Sequence, residues 1–247
     1  MILENVAGII PSGNYGNLSL KLLVIIIMAL HSGCVIQSTP SLEQPAGSLA
    51  PLPASLANKV VRVMDLPDMG NTNAALALIE VTDYECPYCQ AHYRRVLPML
   101  KHEFIDVGLL NYYVFDYPSA GNENSELASL AAACAAEQQS FWRLHDALFE
   151  NPTLGGEAKL SRIVTELGLD AGAFENCLER QRHGEFLDAQ RATALGLGIE
   201  GTPTFLLGRL ENGRILTNIS VLPGMQTIAQ FRQAIGRYRD GSGSSRP

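Results

Sequence analysis

The sequence predicts an α/β fold in which a strand–helix–strand half and a later strand–strand–helix half are separated by a helical block. Three observations predict it. A nearly all-apolar run, Ala75–Thr82, leads through Pro87 into a helical stretch and on to a second apolar run, Leu109–Phe115. Apolar residues then recur at helical spacing across residues 123–195. Finally, Asn212-Gly213 sits between two strand-like runs and an amphipathic segment, Met225–Arg239, follows.

Residue by residue, Lys59–Leu66 reads as a short first strand and Asp68-Met69-Gly70-Asn71 as a turn. Ala75–Thr82 has the continuous apolar character of a strand buried on both faces of a sheet. Proline is favoured in the first helical position, so Pro87 opens a helix to about Phe104, which Pro98 should kink. With Leu109–Phe115 this makes a βαβ unit and a parallel strand pair. In the insert, Leu127, Leu130, Ala131, Cys134, Phe141, Leu144 and Leu148 form one helical series, and Leu160, Ile163, Val164 and Leu167 another. Asp170 is placed to cap a helix bearing Phe174, Cys177 and Leu178. Thr204–Leu207, the Asn212-Gly213 turn and Arg214–Val221 read as a hairpin, and Met225–Arg239 as the last helix. The organisation expected is therefore 58–121 for the first half, 122–196 for the helical insert, 197–240 for the second half, and 241–247 as a disordered tail.

The first 57 residues differ in kind. Lys21 precedes nine apolar residues, Leu22–Leu30, then His31-Ser32-Gly33-Cys34. A basic residue, a short apolar stretch and small residues at a cut site read as a secretory signal over 1–33, and nine apolar residues are too few to anchor the chain in a bilayer. Cys34 after Ser-Gly resembles a bacterial lipoprotein site, at which the cysteine is lipidated; the alternative is an ordinary cleaved signal. Residues 34–57 are rich in Pro, Ser and Ala and read as a flexible tether. Both readings place the folded part outside the cytoplasm, at the periplasm or the outer face of a bacterial membrane, where disulfides persist.

Composition narrows the function. Of 247 residues, 47% are hydrophobic, enough for a packed core, and Lys and Arg number 18 against 25 Asp and Glu, giving a net charge of −7. That balance argues against a nucleic-acid partner, which needs clustered cations to meet phosphate. No apolar run is long enough to make the chain a polytopic membrane protein.

The chemistry concentrates at Cys86-Pro87-Tyr88-Cys89. Cys86 falls at a helix N-cap, where unpaired backbone N–H groups and the helix dipole stabilise a thiolate, the form that attacks disulfides. Cys89 lies one turn deeper and is the resolving thiol. Glu80, on the buried strand below, is a candidate to move the Cys89 proton, against the plainer reading of a structural strand acid. Pro203, in Gly201-Thr202-Pro203-Thr204, is a candidate cis proline that would turn the backbone of Thr202 toward the sulfurs to pair with a substrate chain; a trans proline starting a strand is the alternative. Pro87 and Tyr88 complete the substrate-facing set. Cys134 and Cys177 lie on apolar helical faces and are expected to form a structural disulfide, the alternative being two buried thiols. Zinc would need two further ligands that no motif supplies, so no metal and no cofactor are expected. His92 is expected to point to solvent, and His145 to be a packing residue of the insert. Tyr112 and Tyr113 are read as ordinary strand residues.

Three stretches together resemble the DsbA-type thioredoxin-fold oxidoreductases: the region of Glu80-Val81-Thr82-Asp83-Tyr84-Glu85-Cys86-Pro87-Tyr88-Cys89, the segment Gln138–Phe149, and Gly198–Phe205. The likeness covers roughly residues 64–240 in matching order. It implies a thioredoxin fold with an inserted helical domain, a cis proline at Pro203, a buried acid at Glu80, and dithiol–disulfide exchange with unfolded or reduced exported polypeptides. It further implies reoxidation by a quinone-coupled membrane protein. Membrane contact is expected through the lipid anchor alone, and the chain is expected to be a monomer. The strongest oxidant of that family has His where Tyr88 stands, and Asp83 and Glu85 add negative charge that is expected to raise the Cys86 pKa. A potential between about −120 and −270 mV is therefore expected. A dithiol oxidase is the main reading. A reductase or isomerase of the same fold and a non-catalytic peptide-binding chaperone are its alternatives.

Overall fold

The computed structural model describes residues 59–151 and 153–240. The expected signal, the expected tether with Cys34, and residues 241–247 lie outside the described residues. Among the described residues six strands form one sheet in the order β1 (Val61–Arg62), β6 (Ile215–Pro223), β5 (Thr204–Glu211), β3 (Leu76–Thr82), β4 (Leu110–Asp116), β2 (Asp68–Gly70). Its centre is β3, Leu76–Thr82, flanked by β4, Leu110–Asp116, in parallel and β5, Thr204–Glu211, antiparallel. Every residue of β3 is buried, as its apolar run requires. Strand alternation divides it between two cores: Leu76 and Leu78 face one and Ala77, Ile79 and Val81 the other. Glu80 and Thr82 follow the first set by period two, which turns them toward the helix that carries the CxxC sequence.

That helix, α1, spans Pro87–Arg95 and is shorter than the sequence suggests. Pro98 has no N–H to donate to the Arg94 carbonyl and its ring crowds that oxygen. The chain breaks at Val96 and resumes as a short helix α2, Leu97–Leu100, and a π-helical turn over Lys101–Ile105.

The helical block occupies the chain between β4 and β5: α3 (Glu123–Ala136), α4 (Phe141–Glu150), α5 (Glu157–Glu166), α6 (Ala171–Glu179) and α7 (Gly184–Gly196). Two of its five helix starts carry side-chain caps. Asn122 accepts from the N–H groups of Asn124 and Ser125, and Asp170 from that of Ala173, as its sequence position predicts. Cys134 on α3 and Cys177 on α6 are joined by a disulfide with Cα atoms 5.9 Å apart. The second half continues with β5, the turn at Asn212-Gly213, β6 (Ile215–Pro223) and α8, Ile228–Arg239. Helix α8 starts at a capping box between Thr227 and Gln230. Among the described residues no helix is long and apolar enough to cross a membrane.

Two expectations at the N-terminal edge need correction. The first strand shrinks to β1, Val61–Arg62, paired with β6. Asp68–Gly70 is not a free turn but β2, an antiparallel edge strand registered against Asn111–Tyr113 of β4. Turn-type residues are tolerated on this edge for a local reason. Gly70 has φ 120°, and a Cβ there would lie 2.9 Å from the Ile105 side chain.

Candidate active site

Cys86 is the N-cap residue of α1, with extended backbone (φ −75°, ψ 121°), and Pro87 follows as the first helical residue. The carbonyl of Cys86 accepts from the Gln90 N–H at 3.0 Å, and its own N–H donates to the Asp83 carbonyl at 3.1 Å, so strand end and helix start are locked together. Cys86 is half-buried and Cys89 fully buried, at 0% exposure; both are free thiols. Tyr88, between them, is 65% exposed and stands over the rim.

The two sulfurs are held in opposite electrostatic states. Cys86 is lowered to about 5, first by the hydrogen bond from Cys89. A bond with the Thr202 side chain and the backbone N–H groups of Cys89 and Tyr88 lower it further, against the opposing effect of burial. Cys89 is pushed far up, first by burial and then by its hydrogen bond to Cys86 and the nearby charge of Glu80. One sulfur is thus a thiolate over most of the physiological range and the other is a thiol.

The charge of Asp83 and Glu85 is expected from the sequence to raise the Cys86 pKa; overall the thiol is lowered. Both carboxylates are turned into the loops around the helix start. Asp83 accepts from the Glu85 N–H (2.9 Å) and from the N–H and hydroxyl of Ser119 (3.0 and 2.5 Å). Glu85 accepts from the Leu154 N–H at 2.8 Å. These donors hold the carboxylates in the loops, and neither carboxylate is among the largest influences on Cys86.

Across from the helix tip, the Thr202-Pro203 peptide bond is cis. It brings the Thr202 carbonyl within 3.3 Å of Cys86 Sγ, near enough to accept from the thiol. A groove of about 290 Å³ runs beside it, lined by Gly198–Thr204, Val221 and Pro223. Sequence-predicted Cys86, Cys89, Tyr88, Thr202 and Pro203 therefore converge at one end of the sheet.

Glu80 lies beneath. It is 1% exposed and raised to about 7, by burial above all, while hydrogen bonds from Tyr112 and Thr82 hold it lower than burial alone would. The Tyr112 hydroxyl donates to Oε2, and the Thr82 hydroxyl to Oε1 at 3.1 Å. Sequence reasoning passed over both donors. Each carries a signal in hindsight: Thr82 is two residues from Glu80 on the same strand face, and Tyr112 stands on β4 two places before Val114, the register partner of Glu80.

His92 also departs from expectation. It is 0% exposed, not solvent-facing; its ring lies 4.6 Å from that of Phe205 and 5.9 Å from that of Phe231. Burial lowers its pKa to about 3, so it is neutral, with Nε2 3.9 Å from Glu80 Oε2. The break at Val96 does not disturb this turn of α1, which puts His92 three residues beyond Cys89 on the same inner face. His145 packs among Tyr84, Trp142 and Phe149, as the sequence suggests.

The Thioredoxin family model matches residues 65–230. The chain belongs to the thioredoxin family. Among its relatives, a probable disulfide bond formation protein D of Bacillus cereus is 28% identical over 154 residues, covering 58% of this chain and 71% of that protein. A segment of a Na(+)/H(+) antiporter of Salinispora tropica is 32% identical over 189 residues, 72% of this chain; the chain spans 28% of that protein's length. Among solved structures, Wolbachia pipientis alpha-DsbA1 superposes with a TM-score of 0.64 at 21% identity, covering 72% of this chain and 93% of that one, a likeness of fold. Thioredoxin-family membership accounts for the sheet order at the centre of the molecule, and the helical block between β4 and β5 is the inserted domain that the sequence predicts.

Proposed function

We propose that this thioredoxin-family chain is a thiol–disulfide oxidoreductase that oxidises exported polypeptides outside the cytoplasm, with Cys86 as the exchanging sulfur and Cys89 as the resolving one. The observation that carries this is the opposed pair of thiols, one lowered and half-buried beside the cis Thr202-Pro203 bond, the other raised and buried. In the oxidised enzyme a client thiolate attacks Cys86 Sγ. The Cys86–Cys89 bond breaks, its electron pair goes to Cys89, and Cys89 takes a proton. A second client thiolate then attacks the client sulfur of the mixed disulfide and expels Cys86 as a thiolate. The client loses two electrons and two protons and gains a disulfide; the enzyme is left as the dithiol. A low pKa at Cys86 makes it the better leaving group in this direction.

Glu80, raised to about 7, exchanges the proton of Cys89 in either direction near neutral pH. Pro87, Tyr88 and Thr202 hold the client, whose backbone pairs with Thr202 in the groove. The extracytoplasmic setting, lipidation at Cys34, a monomeric state and a quinone-coupled membrane protein as reoxidant belong to the same proposal. Their support is the sequence of residues 1–57 and the family likeness. The antiporter likeness adds no transport reading, since it reaches 28% of that protein.

The test is the potential of the pair in glutathione buffers, together with oxidation of a reduced, unfolded client. A value between about −120 and −270 mV with catalytic client oxidation is expected. A value at the thioredoxin end, with no oxidation, overturns the oxidase reading in favour of a reductant.

A further inference from the structure

We propose that the helical insert carries a docking groove for a basic amphipathic helix of another polypeptide. The inference goes beyond the dithiol reading and does not depend on it. Helices α3, α5 and α6 wall a cleft of about 530 Å³ that shares no residue with the groove beside cis-Pro203. Its floor is apolar, built from Leu127 and Leu130 of α3, Leu160 of α5, and Phe174 and Leu178 of α6. Its rim is acidic: Glu123 and Glu126 of α3, Glu157 of α5, and Glu175 and Glu179 of α6, all exposed. Ser161 and Gln181 complete the lining, which contains no Lys, Arg or His. Lys159 of α5 turns away, to the Thr153 carbonyl at 2.6 Å.

Three of these carboxylates serve the fold itself. Glu123, Glu126 and Glu157 lie in the first turns of α3 and α5, where the helix dipole favours negative charge. Glu175 and Glu179 have no such use. They stand one turn apart on α6, a like-charge pair that costs stability. Glu179 ends that helix, where the dipole opposes it and the last turn holds no basic residue. Among the described residues, none of the rim carboxylates enters an ion pair. The Cys134–Cys177 disulfide ties α3 to α6, so two walls of the cleft are held in place before a partner arrives. An apolar floor between acidic rims matches a helix with leucine-type residues on one face and Lys or Arg on its flanks. The walls are helices and offer no free strand edge, which sets aside an extended peptide added to a sheet. Anionic lipid headgroups would be repelled by the rim, which sets aside a membrane surface.

The experiment titrates the folded full chain, by fluorescence anisotropy, with a labelled Lys/Leu peptide of about sixteen residues whose leucines share one helical face. Binding is expected, weakening about fivefold or more between about 50 and 300 mM salt. E175K/E179K should keep its fold by circular dichroism and bind about tenfold or more weaker. If that reversal unfolds the insert, E175Q/E179Q takes its place and should weaken binding in the same direction. E166K/E185K makes the same change in net charge at exposed positions outside the cleft and should bind within about twofold of wild type. A peptide of the same composition with its leucines scattered around the helix should bind about tenfold or more weaker. Equal binding of the scattered peptide, or an equal loss in E166K/E185K, means attraction to net charge alone and overturns the groove. Self-association in sedimentation that E175K/E179K abolishes overturns the proposed occupant in favour of a second copy, and binding of phosphatidylglycerol vesicles in place of the peptide does so in favour of a lipid surface.

Discussion

The molecule holds two cysteine pairs, and they differ in almost everything except the element. Cys134 and Cys177 are 43 residues apart in sequence, lie on the inner faces of two helices of the insert, and are bonded. Cys86 and Cys89 share one turn at the tip of a helix, beside a groove, and are free. A disulfide between buried helix faces closes a long loop and meets no attacking thiolate. At the helix tip, backbone N–H groups and a neighbouring thiol give one sulfur its negative charge, while burial denies it to the other. Placement, not the residue type, separates the structural pair from the reactive one.

Breaking each pair gives the largest contrast. C86A should abolish client oxidation, and at about pH 5 and below, where the thiolate adds no stability, it should unfold close to the reduced wild type. The double variant C134A/C177A should keep oxidation and lose about 3–4 kcal/mol of stability in denaturant unfolding, the value for a loop of this length. Client oxidation lost in the second variant at temperatures where it stays folded would show that the insert disulfide takes part in the exchange.

The contrast within the reactive pair is sharpened by pH. Alkylation of the reduced protein should titrate with a midpoint near 5 at Cys86 and stay negligible at Cys89 through neutral pH, read by peptide mapping. The depressed Cys86 value also stabilises the folded reduced form: the gain is complete above the ordinary thiol value near 9 and lost as pH falls through about 5. The Tm of the reduced protein should therefore fall relative to that of the oxidised protein as pH is lowered through that window.

Glu80 has the opposite sign. Its folded pKa is raised from 4.5 to about 7, so its contribution is present below 4.5 and is lost as pH rises through 7. E80Q, which keeps one carbonyl acceptor and puts an amide donor in place of the other oxygen, should be more stable than wild type at pH 8 by up to about 3 kcal/mol. The difference should shrink toward zero as pH falls to 4.5. An unchanged pH slope would mean that Glu80 does not titrate in this range.

What the sequence made legible follows from how local each cause is. The CxxC helix tip, the Asp170 cap and the hairpin turn depend on neighbouring residues, and their types announce them. The run Ala75–Thr82 read as a buried strand because both of its faces meet cores. Pro98 announced a break, though not that the break would fall at Val96, since the clash is with a carbonyl four residues back. Asp68–Gly70 misled because its residue types suit a turn, while the pairing that makes it a strand comes from β4, more than forty residues away. Thr82, Tyr112 and His92 escaped for a related reason. Their roles arise where β3, β4 and α1 meet, and a tyrosine or histidine on an apolar face looks the same in sequence whether or not a buried carboxylate waits opposite.

The smallest effect tests the correction at the helix tip. Sequence proximity puts Glu85 beside Cys86, and a carboxylate one residue away should push a thiol up. In the structure its oxygen is occupied by the Leu154 N–H at 2.8 Å. E85A should therefore leave the Cys86 alkylation midpoint unchanged and cost about 1 kcal/mol of stability through the unpaired Leu154 N–H. A midpoint that falls below the wild-type value would restore Glu85 as an electrostatic brake on the thiolate.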